Sequence, residues 1–198
     1  MKTSNRLGSL ALALAGVLFL LYPVVRPYSD ETTLRGIEVF ASNAWVASHM
    51  FAVLGFILMS LGLLVLDRRA ALVTSIGAGL TILYYGAEIF GLRAVGLRAV
   101  SEQDPGLLAM VEAIRFNPIA LSAFLLGLLL LAAGVVMAAI AIRRSGVLSK
   151  WSGVPVAVGF ALFIPQFFGP PALRMAHGAL IAIGFAWVAV EMWRKRQA

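Results

Sequence analysis

Six apolar runs, each about as long as a bilayer is thick, occupy most of this 198-residue chain. A helical crossing takes roughly 20 predominantly apolar residues to cover about 30 Å of hydrocarbon. The runs fall at about Leu7–Val25, Trp45–Leu66, Ala71–Gly91, Pro118–Ile142, Trp151–Gly169 and Ala172–Trp193. In lipid, backbone N–H and C=O groups have no water to bond, so such runs satisfy them internally as helices. A barrel would need shorter segments of alternating polarity, and the sequence has none. The expectation is an all-α integral membrane protein, a single domain over residues 1–198 built as a bundle of six transmembrane helices. With 61% hydrophobic and 13% charged residues, too little polar sequence remains for a separate soluble domain.

The charges orient the bundle. Sixteen Lys and Arg against nine acids would suggest nucleic acid in a soluble chain. Their distribution points elsewhere. Lys2, Arg6, Arg68, Arg69, Arg143, Arg144, Lys150, Arg194, Lys195 and Arg196 flank one predicted face, where only Asp67 and Glu191 oppose them. Arg26, Arg35, Arg93, Arg98, Arg115 and Arg174 share the other face with seven acids. Cytoplasmic loops carry the excess of Lys and Arg, so both termini are expected in the cytoplasm, with the chain in the inner membrane. The expected partner is the lipid bilayer, including its anionic lipids. A membrane-protein partner or a second copy of the chain comes next, and nucleic acid is not expected. Lys2 and Arg6 followed by an apolar stretch look like the start of a signal peptide. The run continues to Val25, however, and Arg26-Pro27-Tyr28 is a poor cleavage site, so a retained span is expected. Cysteine is absent, which removes disulfides, thiolate metal sites and thiol redox chemistry.

The connections on the two faces differ. Asp67-Arg68-Arg69 and Arg143–Lys150 are short cytoplasmic turns that make their flanking spans antiparallel neighbours. The outer connections are longer. Ser29, Asp30, Glu31 and Thr32 read as helix-start residues. Leu34, Ile37, Val39 and Phe40 then suggest a short amphipathic helix on the membrane surface. Leu92–Asn117 repeats Leu-Arg-Ala-Val at 92–95 and 97–100, breaks at Asp104-Pro105-Gly106, and resumes as a helix to Arg115. Short amphipathic helices on the outer face place function on that side.

One shallow polar layer stands out. The chain has two histidines, His49 and His177. At 1.5 Å per residue, His49 lies ~6 Å below the outer interface and His177 ~9 Å below it. Glu88, Tyr85, Gln166 and Asn117 fall near the same level. Ionisable groups cost roughly 2.5–3.5 kcal/mol each at the centre of a membrane helix, so they face the bundle interior or a wet cavity.

Several readings compete for this layer. His49, His177 and Glu88 make the donor set of a two-histidine, one-carboxylate site for a divalent metal ion. Alternatively, His49 and His177 are the axial ligands of haem b. Gly55, Gly178 and Gly184 would then leave room for a flat ring, and Arg93 and Arg174 would pair with its propionates. A third reading is a proton-coupled path along Thr74, Thr81 and Glu88, which recur every seven residues on the third span. A purely structural reading pairs Glu88 with Arg93 or a histidine. No local metal or haem motif supports the first two, and no catalytic residue is expected. Pro155 and Pro165 bracket the fifth span and are expected to kink it, freeing carbonyls near Gln166. The expectation is a cofactor, haem b or a metal ion, held in an outward-facing pocket of spans two, three and six for redox or electron transfer. The alternatives are a small proton-coupled transporter or channel using Glu88, and a non-catalytic subunit of a larger membrane complex.

Overall fold

The computed structural model describes residues 2–194 and side chains from Arg6 onward; Lys195, Arg196 and the side chain of Lys2 lie outside the described residues. The described residues form helices and turns, with no strand among them. Among the described residues, five helices are long and apolar enough to cross a membrane. They are α1 (Lys2–Val25), α3 (Asn43–Leu63), the continuous rod that begins with α4 (Arg68–Gly86), α7 (Pro118–Ser145) and α9 (Pro171–Arg194). Leucines such as Leu7, Leu14, Leu72, Leu83 and Leu129 stand exposed along their flanks. That surface suits lipid as its solvent.

Local chemistry sets the helix ends. Asp67 begins α4 by accepting the Ala70 N–H at 2.7 Å, and Ser42 begins α3 by accepting the Trp45 N–H. Each removes one of the unpaired amide donors of a first turn. Gly146 ends α7 at φ 64°, a left-handed conformation that favours glycine.

The third span runs further than its hydropathy suggests. Residues 68–102 form one rod of 35 residues, about 52 Å long at 1.5 Å per residue. It passes through a π-helical turn at Ala87–Gly91 into α5 (Leu92–Glu102). The Leu-Arg-Ala-Val repeat is thus the far end of the same long rod. This rod, α2 (Leu34–Ile37), a 3-10 turn at Glu38–Ala41 and α6 (Gly106–Arg115) make a cap. The cap has its own core of Ile37, Phe40, Trp45, Leu92, Val95, Ala99, Leu107 and Val111. Ile37 and Phe40 are fully buried there, so the segment expected to lie on the membrane surface instead packs on α5.

The expected fifth span is not a continuous helix. Trp151–Gly169 contains α8 (Val154–Ala161), only 8 residues long, then a turn and a 3-10 segment at Pro165–Phe168. Pro165 has no N–H to give the Ala161 carbonyl, and its ring crowds that carbonyl, so the α-helix stops there. Pro155 sits in the first turn of α8, where proline is tolerated. The expected kink is therefore a full break.

The polar stripe on α4 lies in a closed seam. Thr74 and Thr81 are fully buried against α7. A Cβ at Gly127 would come within 2.5 Å of the Thr81 hydroxyl, and one at Gly134 within 2.2 Å of the Thr74 hydroxyl. Small residues here bring two backbones together. The stripe is a packing surface and leaves no route between the helices.

Candidate functional site

Where the cap meets the bundle, four charged side chains form a chain of ion pairs. Arg115 ends α6 and reaches into the π-helical turn. Its Nε donates to Glu88 Oε1 at 3.0 Å and one terminal nitrogen donates to Glu88 Oε2 at 3.2 Å. Its other terminal nitrogen donates to Glu31. Glu31 accepts in turn from Arg26 at 2.7 Å. Trp45 lies under both guanidinium groups, at 4.8 Å from Arg26 and 5.8 Å from Arg115. The indole N–H of Trp45 donates to the Glu88 carbonyl at 2.8 Å. Two cations therefore meet two carboxylates with fork-shaped geometry, which compensates for their loss of water. Burial alone would raise the Glu31 pKa, but Arg115 and Arg26 outweigh it and hold that carboxyl below its ordinary range. Burial likewise opposes the Arg115 charge, but Glu88 and Glu31 more than restore it.

His49 sits at the inner edge of this network. Its Nδ1 donates to the Trp45 carbonyl at 2.8 Å, and Nε2 faces Glu88 Oε2 at 3.8 Å, too long for a hydrogen bond. Tyr22 and Tyr85 pack on its ring, with centroids 5.5 and 5.6 Å away. The Tyr85 hydroxyl and the Thr74 hydroxyl are the buried side-chain polar atoms without a partner among the described residues.

A second polar group lies on the other side of Tyr22. A cleft between α1, α9 and the broken segment is lined by Tyr22, Arg26, Tyr28, Gln166, Arg174 and His177, with Phe19, Phe163 and Ile181 at its apolar end. His177 Nε2 donates to the Gly159 carbonyl at 2.7 Å, leaving Nδ1 as the ring's other polar atom. Arg174 donates to the Phe167 carbonyl at 2.6 Å and the Gly169 carbonyl at 3.4 Å. Among the described residues it has no carboxylate partner. The guanidinium carbons of Arg26 and Arg174 stand 5.2 and 5.9 Å from the Tyr28 ring. Burial pushes the Tyr28 hydroxyl pKa up, and the two arginines oppose that. The cleft is shut, with a cavity volume of about 10 Å³, room for about one water molecule.

The expected site residues divide between these places. Glu88, His49 and Tyr85 come together under the cap, whereas Gln166, Arg174 and His177 come together in the cleft. Arg93 belongs to neither, because it donates to the Ser42 carbonyl and Asn43 Oδ1 and ties α5 to the start of α3. Its expected pairing with Glu88 is taken by Arg115. Asn117 caps α7 by accepting the N–H groups of Ile119 and Ala120 and is not a pocket residue.

Neither expected cofactor fits this arrangement. No group of three or more metal-ligating side chains occurs among the described residues. The three expected ligands are divided, with one nitrogen of each histidine held by a backbone carbonyl. The glycines expected to make room for a ring are filled by helix packing. A Cβ at Gly55 would meet the Phe19 ring, one at Gly178 the Phe19 carbonyl, and one at Gly184 the Val156 side chain. A haem has no gap to enter.

Arg26, Glu31 and Arg115 were not expected at the site, since each lies in a connection. The signal for them was Glu88 itself, because a carboxylate in an apolar run requires a cation from some neighbouring element. The chain matches no family model, no curated protein and no solved structure.

Proposed function

We propose that this chain is a small inner-membrane carrier that moves an organic carboxylate together with a proton, using the cleft between α1, α9 and the broken segment. In this reading the chain crosses six times. Trp151–Gly169 supplies the broken crossing, the basic turns and both termini lie in the cytoplasm, and the cap faces outward. One observation carries the proposal. The irregular backbone at 162–168 lines the same cleft into which Arg174, Gln166 and His177 project. Non-helical backbone at membrane depth is tolerated where it is buried in protein or lines a cavity. Carriers form their binding sites at such interrupted helices.

The chemistry of the lining names the solute. Arg174 offers a planar fork suited to a carboxylate, and Arg26 and Tyr28 lie beside it. In this scheme the cleft, which has room for about one water molecule, opens by movement of the broken segment against α9, and Phe19, Phe163 and Ile181 then meet a small apolar body. His177 Nδ1 takes the proton that travels with the anion, so that the pair crosses as a neutral unit. Glu88 is not the moving proton site in this scheme, because both of its oxygens are engaged by Arg115.

The test is uptake of radiolabelled acetate, lactate and benzoate into proteoliposomes with an inward proton gradient. At least one should accumulate with the wild-type protein, and Arg174→Gln should reduce its uptake at least tenfold. No uptake above protein-free liposomes for any of the three, or full uptake by Arg174→Gln, would refute the proposal.

A further inference from the structure

At the opposite end of the bundle, the start of α4 and the end of α7 form a groove of about 580 Å³. The volume is in the range of ligand sites. Its polar rim is Arg69, Arg144 and Ser145, and its wall is Leu66, Met137 and Ile140. The two helices are held close along their length by the Gly77, Gly127 and Gly134 contacts, which places Arg69 beside Arg144. Both arginines are exposed, and neither makes an ion pair or a side-chain hydrogen bond among the described residues. Asp67 also lines the groove. Its Oδ1 is occupied by the Ala70 N–H at the helix start, so one acid faces the two cations.

The occupant follows from the order of these groups. On α7, Met137, Ala141 and Arg144 fall at positions i, i+4 and i+7, one face of the helix. That face passes from apolar to cationic as it nears the helix end. A water-soluble anion would use the two guanidinium groups and leave the wall idle. A phospholipid uses both, with its phosphate on the arginine forks and an acyl chain along Met137 and Ile140. We infer that this groove is a binding site for one anionic glycerophospholipid, its phosphate held by Arg69 and Arg144. The outer cleft plays no part in this inference.

The experiment is native mass spectrometry of the full chain, delipidated in mild detergent and re-supplied with phosphatidylglycerol or phosphatidylcholine. Wild-type protein should retain one phosphatidylglycerol and at least tenfold less phosphatidylcholine. Arg69→Gln/Arg144→Gln should lose that retention at least tenfold, while Arg68→Gln/Arg143→Gln, which changes neighbouring charges outside the groove, should keep it. Inorganic phosphate at millimolar concentration should not displace the lipid. If the first double variant fails to fold, Ile140→Glu serves in its place, because it closes the acyl wall without touching the rim. Equal retention of both lipids, equal loss in both double variants, or displacement by phosphate would overturn the inference. Loss of carboxylate uptake in the proteoliposome assay would leave these outcomes unchanged, so the two proposals fail separately.

Discussion

Two clusters of arginine share one end of this bundle and differ in a single respect. Under the cap, Arg26 and Arg115 meet Glu31 and Glu88, and every charge has an opposite neighbour. In the cleft, Arg174 meets the carbonyls of Phe167 and Gly169 and the rings of Tyr28 and Phe167, with no carboxylate partner among the described residues. A balanced network has nothing to gain from a ligand and much to lose if one member is removed. A cation with no carboxylate partner loses less by substitution and gains from an arriving anion. In the proposed reading the difference separates a structural polar centre from a binding site, although both lie near the same end of the bundle.

The sharpest way to break that comparison is Arg115→Ala. It leaves the buried Glu88 without a guanidinium partner and Glu31 with Arg26 alone, and breaking such a network costs about 3–5 kcal/mol. Thermal unfolding in detergent should show the largest midpoint drop of any single change discussed. A drop no larger than that of Arg174→Gln would mean the network does not hold the cap on the bundle.

Arg174→Gln should have the reverse profile. Its lost bonds to two carbonyls should cost about 1 kcal/mol of stability, whereas carboxylate affinity should fall at least tenfold, about 1.4 kcal/mol. Thermal unfolding and ligand titration on one preparation separate the two quantities.

Acid should affect the clusters differently as well. The Glu31 carboxyl is held below its ordinary pKa. Its contribution is fully present above the unfolded value and is lost as pH falls through the folded one. The unfolding midpoint should therefore decline as pH drops below about 4, and Glu31→Gln should flatten part of that decline. A Glu31→Gln profile that keeps the full decline would assign the acid sensitivity elsewhere.

The smallest effect expected is that of His177→Gln. It can keep a donor to the Gly159 carbonyl, so stability should change little, while uptake should lose its dependence on the proton gradient. Uptake by His177→Gln that still follows the gradient would remove His177 as the proton site.

Much of this was legible from the chain. Five of the six apolar runs read from hydropathy form long helices, and helical rise places Glu88, His49, Gln166 and His177 together as one expected layer. The division of that layer into two clusters does not follow from either, because it depends on Tyr22 standing between them, and depth arithmetic says nothing about direction around an axis. Asn117 shows a local signal outweighed by a global one. Asn before Pro118 is a helix-start pattern, yet its depth suggested a pocket. Pro165 gave notice of a disturbance in the fifth span, but whether a helix kinks or stops depends on what receives the freed carbonyls. Here Arg174, in the first turn of α9, donates to the carbonyls of Phe167 and Gly169, 7 and 5 positions before it, a relation visible only in three dimensions.

The central claim is that Arg174 marks an anion site, and ligand-dependent thermal unfolding tests it most directly. Wild type, Arg174→Gln and Arg93→Gln would be titrated with benzoate, acetate and lactate against chloride at matched ionic strength. Binding to the folded state raises the midpoint with ligand concentration. The account predicts that at least one carboxylate raises the wild-type midpoint. It predicts the same curve for Arg93→Gln, whose arginine only ties α5 to α3, and at least a tenfold higher concentration for Arg174→Gln. If no carboxylate exceeds chloride with the wild-type protein, or if all three proteins respond alike, the cleft is not the site.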